Sequence, residues 1–210
     1  MHKNKLDEIY AESQNAAEYS KKYSEYLATL ILTMDHDKVG QIVDLLLQAQ
    51  ENDKSIFFIG NGGSAATATH YNCDFGKGTK TGDKTKFFKT FSFADNVSSF
   101  TAIGNDDGYE YVFRNQLENF LKEGDIVFSI SASGNSPNLI KAVEYAKEVG
   151  AITISLLGFD GGKLKDMSDI AFVIETRKGE YGPVEDAHMI LDHIMSTYIF
   201  RLFKEYQEKN

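Results

Sequence analysis

A parallel β-sheet packed between two layers of helices is the fold this sequence predicts, and three observations predict it. Five short, almost continuously apolar runs occur at Ser55–Ile59, Thr90–Ala94, Ile126–Ile130, Ala151–Leu156 and Asp169–Ile174. The segments between them, 64–79, 97–121, 136–149 and 160–167, are long enough for helices, and strands alternating with helices pair in parallel through right-handed crossovers. The runs also lack the apolar–polar alternation of a half-exposed sheet, as strands covered on both faces do. The expected class is therefore α/β, a three-layer α/β/α sandwich around a five-stranded parallel sheet.

Ahead of the sheet, Leu6, Ile9, Tyr10, Tyr19, Tyr23, Tyr26, Leu27, Leu30 and Ile31 recur at mostly helical spacing. Val39, Ile42, Val43, Leu45, Leu46 and Leu47 form a second helical pattern, so the chain is expected to open with two helices. These make residues 1–52 a helical layer in front of an α/β unit at 53–210, all within one domain, 1–210. After the last strand, Gly182-Pro183 opens a final helix, with Glu185 and Asp186 in its electropositive first turn. That helix carries Ile190, Leu191, Ile194, Met195, Tyr198, Ile199, Leu202 and Phe203. So wide an apolar band suits either subunit packing or a cap on the protein's own core, and the pattern leaves both open.

Composition narrows the function. The 210 residues include 22 Lys+Arg against 31 Asp+Glu, a net charge of -9. An acidic chain is a poor general binder of nucleic acid, which requires a basic stripe. The longest apolar stretch, around Tyr26–Thr33, is far short of a membrane span of roughly 20 residues. No apolar signal segment follows the N-terminus, and the one cysteine, Cys73, has no internal partner and is read as a small packed residue. A cytoplasmic protein with no nucleic-acid or membrane partner is expected.

Two strand ends are rich in glycine and hydroxyls. The first, Phe57-Phe58-Ile59-Gly60-Asn61-Gly62-Gly63-Ser64, runs into one helix; the second, Phe128-Ser129-Ile130-Ser131-Ala132-Ser133-Gly134-Asn135-Ser136, runs into another. Ligands of open α/β sheets bind beyond the carboxyl ends of the strands, where glycine lets backbone N–H groups and a helix N-terminus approach an anion. Serine hydroxyls add uncharged donors that suit a phosphate. A Walker pattern is absent, and Gly60-x-Gly62-x-x-Ala65 lacks the acidic residue that a dinucleotide fingerprint requires about 20 positions on. Lys77 and Lys80, just beyond the first helix, are either aids to an anionic substrate or solvated surface residues.

His70 and Asp74 lie four apart and share a helix face. On the last helix Glu185, His188, Asp192 and His193 cluster, with Glu185 and His193 about 80° apart around the axis and two turns distant. The spacing permits a shared site and equally permits ordinary surface groups.

The stretches FIGNGGSAATATHYNCDF, GNDDGYEYVF, SISASGNSPNLIKAVEYAKEVGAITISLLGFDGGKL and VEDAHMILDH resemble the sugar-isomerase (SIS) domain proteins, and among them the phosphoheptose isomerases. The resemblance covers nearly the whole chain. It implies a homotetramer that converts sedoheptulose 7-phosphate into D-glycero-D-manno-heptose 7-phosphate through an enediol, supplying heptose for bacterial surface polysaccharide. Carried over by motif, Asn61, Gly62 and Gly63 line the sugar site, Asn105 and Asp106 contact substrate, and Ser131, Ala132, Ser133 and Ser136 cradle the phosphate, with Ser64 nearby. The same resemblance implies Asp74 as base, His193 as acid, and one Zn2+ per subunit held by His70, Asp74, Glu185 and His193. Asp74 and Glu185, the latter also a substrate contact, depart from the family's usual Glu and Gln, and both changes keep oxygen donors. The competing expectation is a non-catalytic SIS protein that senses phosphosugars or docks onto other proteins, for which the His70/Asp74/Glu185/His193 set would have no purpose.

Overall fold

In the computed structural model, which describes residues 4–81 and 87–209, the apolar runs become β1 (Ser55–Gly60), β2 (Lys89–Ser92), β3 (Ile126–Ser131), β4 (Ile152–Phe159) and β5 (Ile170–Glu175). All neighbours are parallel, in the order β2-β1-β3-β4-β5. Register is carried by matched apolar residues: Ile56 lies opposite Ile126, and Ile126 opposite Ile152. Successive side chains point to opposite faces, so one continuous run feeds two cores. Ile56, Phe58, Phe128, Ile154 and Leu156 pack on one face, whereas Phe57, Ile59, Val127 and Leu157 pack on the other.

The first of these cores is covered by α3 (His36–Glu51), α4 (Gly63–Cys73) and α9 (Tyr181–Lys209), through Ile42, Leu46, Tyr71, Leu191 and Met195. The second is covered by α6 (Arg114–Leu117), α7 (Pro137–Val149) and α8 (Gly162–Met167), through Leu117, Leu139, Val143 and Leu164. Ahead of α3 lie α1 (Lys5–Ala11) and α2 (Ala16–Thr33), and α5 (Val97–Asp106) follows β2.

Two expectations need correction. The chain opens with three helices, because the side chain of Asn15 accepts hydrogen bonds from the N–H groups of Ala17 and Glu18 and so starts α2 afresh. The segment 97–121 is likewise interrupted: the N–H groups of Asp107 and Gly108 both turn back to the Ile103 carbonyl, and Gly108 takes φ +108°. A short 3-10 turn, Tyr109–Tyr111, then leads into α6. Segment 64–79 is α4 continued by a single π-helical turn, Asp74–Gly78.

The strand order places the site. From β1 the chain crosses to β2 on one side and then returns to β3 on the other. The carboxyl ends of β1 and β3 therefore flank the point where the direction of winding reverses, the usual location of a ligand crevice. Both glycine- and serine-rich loops leave from those two ends.

Candidate active site

α4 begins directly after the first loop, and its inner face is fixed by Tyr71. That ring is fully buried among Phe58, Phe75 and Phe128, and its hydroxyl donates to the His188 carbonyl of α9 at 2.9 Å. His188 is itself fully buried, with Nε2 3.1 Å from the Leu157 carbonyl of β4. Burial pushes its pKa down to about 4, so the ring is neutral and Nε2 carries the donated hydrogen. This Tyr71–His188–Leu157 chain of contacts ties α4, α9 and the sheet together.

With α4 so anchored, the preceding residue, His70, faces outward against α9. Its Nε2 lies 3.2 Å from Nε2 of His193, 3.6 Å from Asp74 Oδ2 and 3.7 Å from Asp192 Oδ2. One donor atom from each of His70, Asp74, Asp192 and His193 can be chosen so that all four lie within 4.8 Å of one another. The histidines are exposed, Asp74 is half-buried and Asp192 is fully buried. Burial first, then the charge of Asp74, raise the Asp192 carboxyl to about 8. Neither Asp192 oxygen has a hydrogen-bond partner among the described residues.

This donor chemistry suits a divalent cation. Two imidazole nitrogens and two carboxylates are zinc-type ligands, and tetrahedral bonds of 2.0–2.1 Å set ligand atoms about 3.4 Å apart, close to the contacts around His70. The set differs from the expected one: Glu185 is outside it and Asp192 is inside. Glu185 instead lies across the start of α4, where a Cβ on Gly63 would come within 2.5 Å of its Oε2. Gly63 precedes His70 by seven residues, roughly 10 Å along a helix axis, and Glu185 is not among the donors that gather within 4.8 Å. Burial, then Asp186, raise the pKa of Glu185.

The second loop, where an anion cradle was expected, is held by its own short contacts. Ser131 Oγ accepts from the Gly134 N–H at 3.1 Å, the Ala132 carbonyl accepts from Gly158 N–H, and Ser136 stands at the start of α7 without a side-chain capping bond. Ser133 Oγ is 3.4 Å from the Asn135 N–H. Sequence reasoning missed Asn138, which links the loops: it is buried and exchanges two amide hydrogen bonds with Asn61, at 2.8 and 2.9 Å. Tyr109 also donates to Asn61 Oδ1, and the place of Asn138 in the first turn of α7 was its only available signal. Gly62 precedes α4, and Ser64 is buried in its first turn. Asn105 and Asp106, at the end of α5, are exposed and bonded to each other. Lys80 sits over the Phe87 ring, and Cys73 is exposed rather than packed.

Comparisons with known proteins agree with this architecture. Residues 18–158 match the SIS domain family. The phosphoheptose isomerase of Helicobacter pylori (strain P12) is 39% identical over 167 residues, spanning 80% of this chain and 85% of that protein. The structure of phosphoheptose isomerase from Neisseria gonorrhoeae superposes with a TM-score of 0.73 at 30% identity, covering 88% of this chain and 95% of that one. A phosphoheptose isomerase from Francisella tularensis shares the fold, with a TM-score of 0.80 at 21% identity over 90% and 100% of the two chains. The chain belongs to the SIS-domain phosphoheptose isomerase family.

Proposed function

We propose that the chain interconverts sedoheptulose 7-phosphate and D-glycero-D-manno-heptose 7-phosphate by moving a proton between adjacent carbons through an enediol. The observation that carries this reading is the convergence of His70 on α4 and Asp74 just after it with His193 on α9. Aldose–ketose exchange requires a base at the carbon beside the carbonyl and an acid at its oxygen. Asp74, reachable from solvent, takes the carbon-bound proton. His193 donates a proton to the oxygen as charge develops there. Its Nε2 lies 3.2 Å from that of His70, within hydrogen-bond reach. Return of the abstracted proton to the neighbouring carbon and loss of a hydroxyl proton complete the exchange.

The phosphate is held by Ser131, Ala132, Ser133 and Ser136 with the N-terminus of α7, and fixes the far end of the sugar. Asn61, Gly62, Gly63, Ser64 and Glu185 line the sugar, and Asn105 and Asp106 contact it from α5. Zn2+ held at the His/Asp group would polarise the carbonyl and stabilise the enediolate. A homotetramer is part of the same reading. Ile194, Tyr198, Leu202 and Tyr206 recur every four residues on α9 as one exposed apolar stripe that a partner subunit would cover. Among the described residues no helix is long and apolar enough to cross a membrane.

The test is turnover of sedoheptulose 7-phosphate, read as aldose product, by wild type, Asp74→Asn and His193→Ala. Each variant should lose about 10²–10⁴-fold in kcat while inorganic phosphate still binds, because the serine loop is untouched. Wild-type turnover of another ketose phosphate alone would replace the substrate; unchanged kcat in both variants would remove the mechanism.

A further inference from the structure

Three segments of chain meet at the side chain of Asn61. This half-buried residue follows β1 and touches Asn138 in the first turn of α7 and Tyr109 at the start of the 3-10 turn. Its Oδ1 accepts from Asn138 Nδ2 and from the Tyr109 hydroxyl, each at 2.8 Å, while its Nδ2 donates to Asn138 Oδ1 at 2.9 Å.

A backbone group decides which end of each amide is oxygen. The Leu139 N–H, shared with the Ser136 carbonyl at 3.1 Å, lies 3.0 Å from Asn138 Oδ1. A peptide N–H only donates, so the atom facing it is an oxygen, and the reverse orientation would set two donors against each other. Asn138 Nδ2 therefore faces Asn61, and the Asn61 atom that receives it is Oδ1. The Tyr109 hydroxyl meets that same oxygen and has to donate.

We infer that Asn138 and Tyr109 are positioning residues that lock the Asn61 amide, so that it meets the sugar phosphate as the donor of one N–H and never as an acceptor. The contact with substrate rests on the isomerase reading; the orientation of the amide does not.

An amide oxygen has two lone pairs, and on Asn61 both are taken. Of the two Nδ2 hydrogens one goes to Asn138, and the other has no partner among the described residues. The group it fits is an oxygen with a free lone pair: a hydroxyl, a carbonyl or a phosphate oxygen. An ammonium in that place would set donor against donor, which disfavours an amino sugar there. Asn138 is 1% exposed, so its amide cannot exchange these partners for water without stranding buried polar atoms. Tyr109 is 55% exposed and is held by its ring, which meets Phe100 edge-on at 5.8 Å. Phe100 belongs to α5, the helix that ends in Asn105 and Asp106, so the same tyrosine ties that helix to the first loop.

The lock is tested by kcat/KM for sedoheptulose 7-phosphate in Asn138→Ala and Tyr109→Phe, each made in the wild-type chain and again in Asn61→Ala. In the wild-type chain Asn138→Ala should cost about 10–100-fold and Tyr109→Phe about 3–10-fold. In Asn61→Ala each should cost less than about twofold more, since the group they hold has gone. Equal costs in the two backgrounds would make both residues general supports of the fold and overturn the proposal, as would wild-type kinetics in both single variants. Should Asn138→Ala fail to fold, Tyr109→Phe, changed only at an exposed residue's hydroxyl, carries the comparison. Neutron diffraction from deuterium-exchanged wild-type crystals reads the amides directly. Deuterium belongs on the Asn61 atom that faces Asn138 Oδ1, and deuterium on the atom that faces Tyr109 would refute the lock. A locked amide in a protein that leaves sedoheptulose 7-phosphate unchanged would sink the isomerase reading and leave the orientation standing.

Discussion

His188 shows how a single side chain can couple stability to pH without entering the chemistry. It is fully buried, gives its Nε2 hydrogen to Leu157, and leaves Nδ1 without a hydrogen-bond partner among the described residues. Burial lowers its folded pKa to about 4, against about 6.5 for an unfolded histidine. Between those values the unfolded chain binds the extra proton, so stability is complete above the upper value and falls with acidification to the lower one. Metal-free protein should lose about 2 kcal/mol from this group between about pH 7 and about pH 5, measured by urea unfolding. His188→Gln should flatten that part of the profile. An unchanged slope in the variant would show that other groups set the acid limb.

At the scale of elements, the Tyr71 hydroxyl is the polar tie that sets α4 against α9. Tyr71→Phe keeps the aromatic packing and removes one buried hydrogen bond, leaving the His188 carbonyl unpaired. Unfolding free energy should fall by about 1–2 kcal/mol, with kcat falling as well, because His70 and His193 face each other only while those helices hold their register. Loss of stability with unchanged kcat would mean that the loops, not Tyr71, set the spacing. Elements were also where the sequence was easiest to read. The five strands announce themselves because strands such as β1 and β3 are buried on both faces and are therefore dominated by apolar residues. The break at Asn15 was hidden, since capping by its side chain interrupts a helix without disturbing the apolar spacing around it. In the site, His70, Asp74 and His193 were legible from spacing and resemblance together. Asp192 was noticed in the same cluster yet given no role, for burial of a carboxylate leaves no mark on sequence periodicity. Asn138 escaped for a similar reason: its partner, Asn61, lies 77 residues away.

For the whole molecule, the stripe on α9 is the feature that composition could not decide. Four exposed apolar residues in line on a helix of 29 residues are a liability for a protein that stays alone in solution. Replacing Tyr198 and Leu202 together by Glu should convert the proposed homotetramer to a smaller species in sedimentation equilibrium, while circular dichroism remains that of the folded chain. A mass unchanged from wild type would place the subunit contact elsewhere.

The two halves of the reactive cluster are separated by 123 positions of chain, His70 on α4 and His193 on α9. A growing polypeptide can therefore have made all five strands and still lack this cluster. Only when α9 emerges and docks does the first helix meet its counterpart, so synthesis itself withholds reactivity from every incomplete copy.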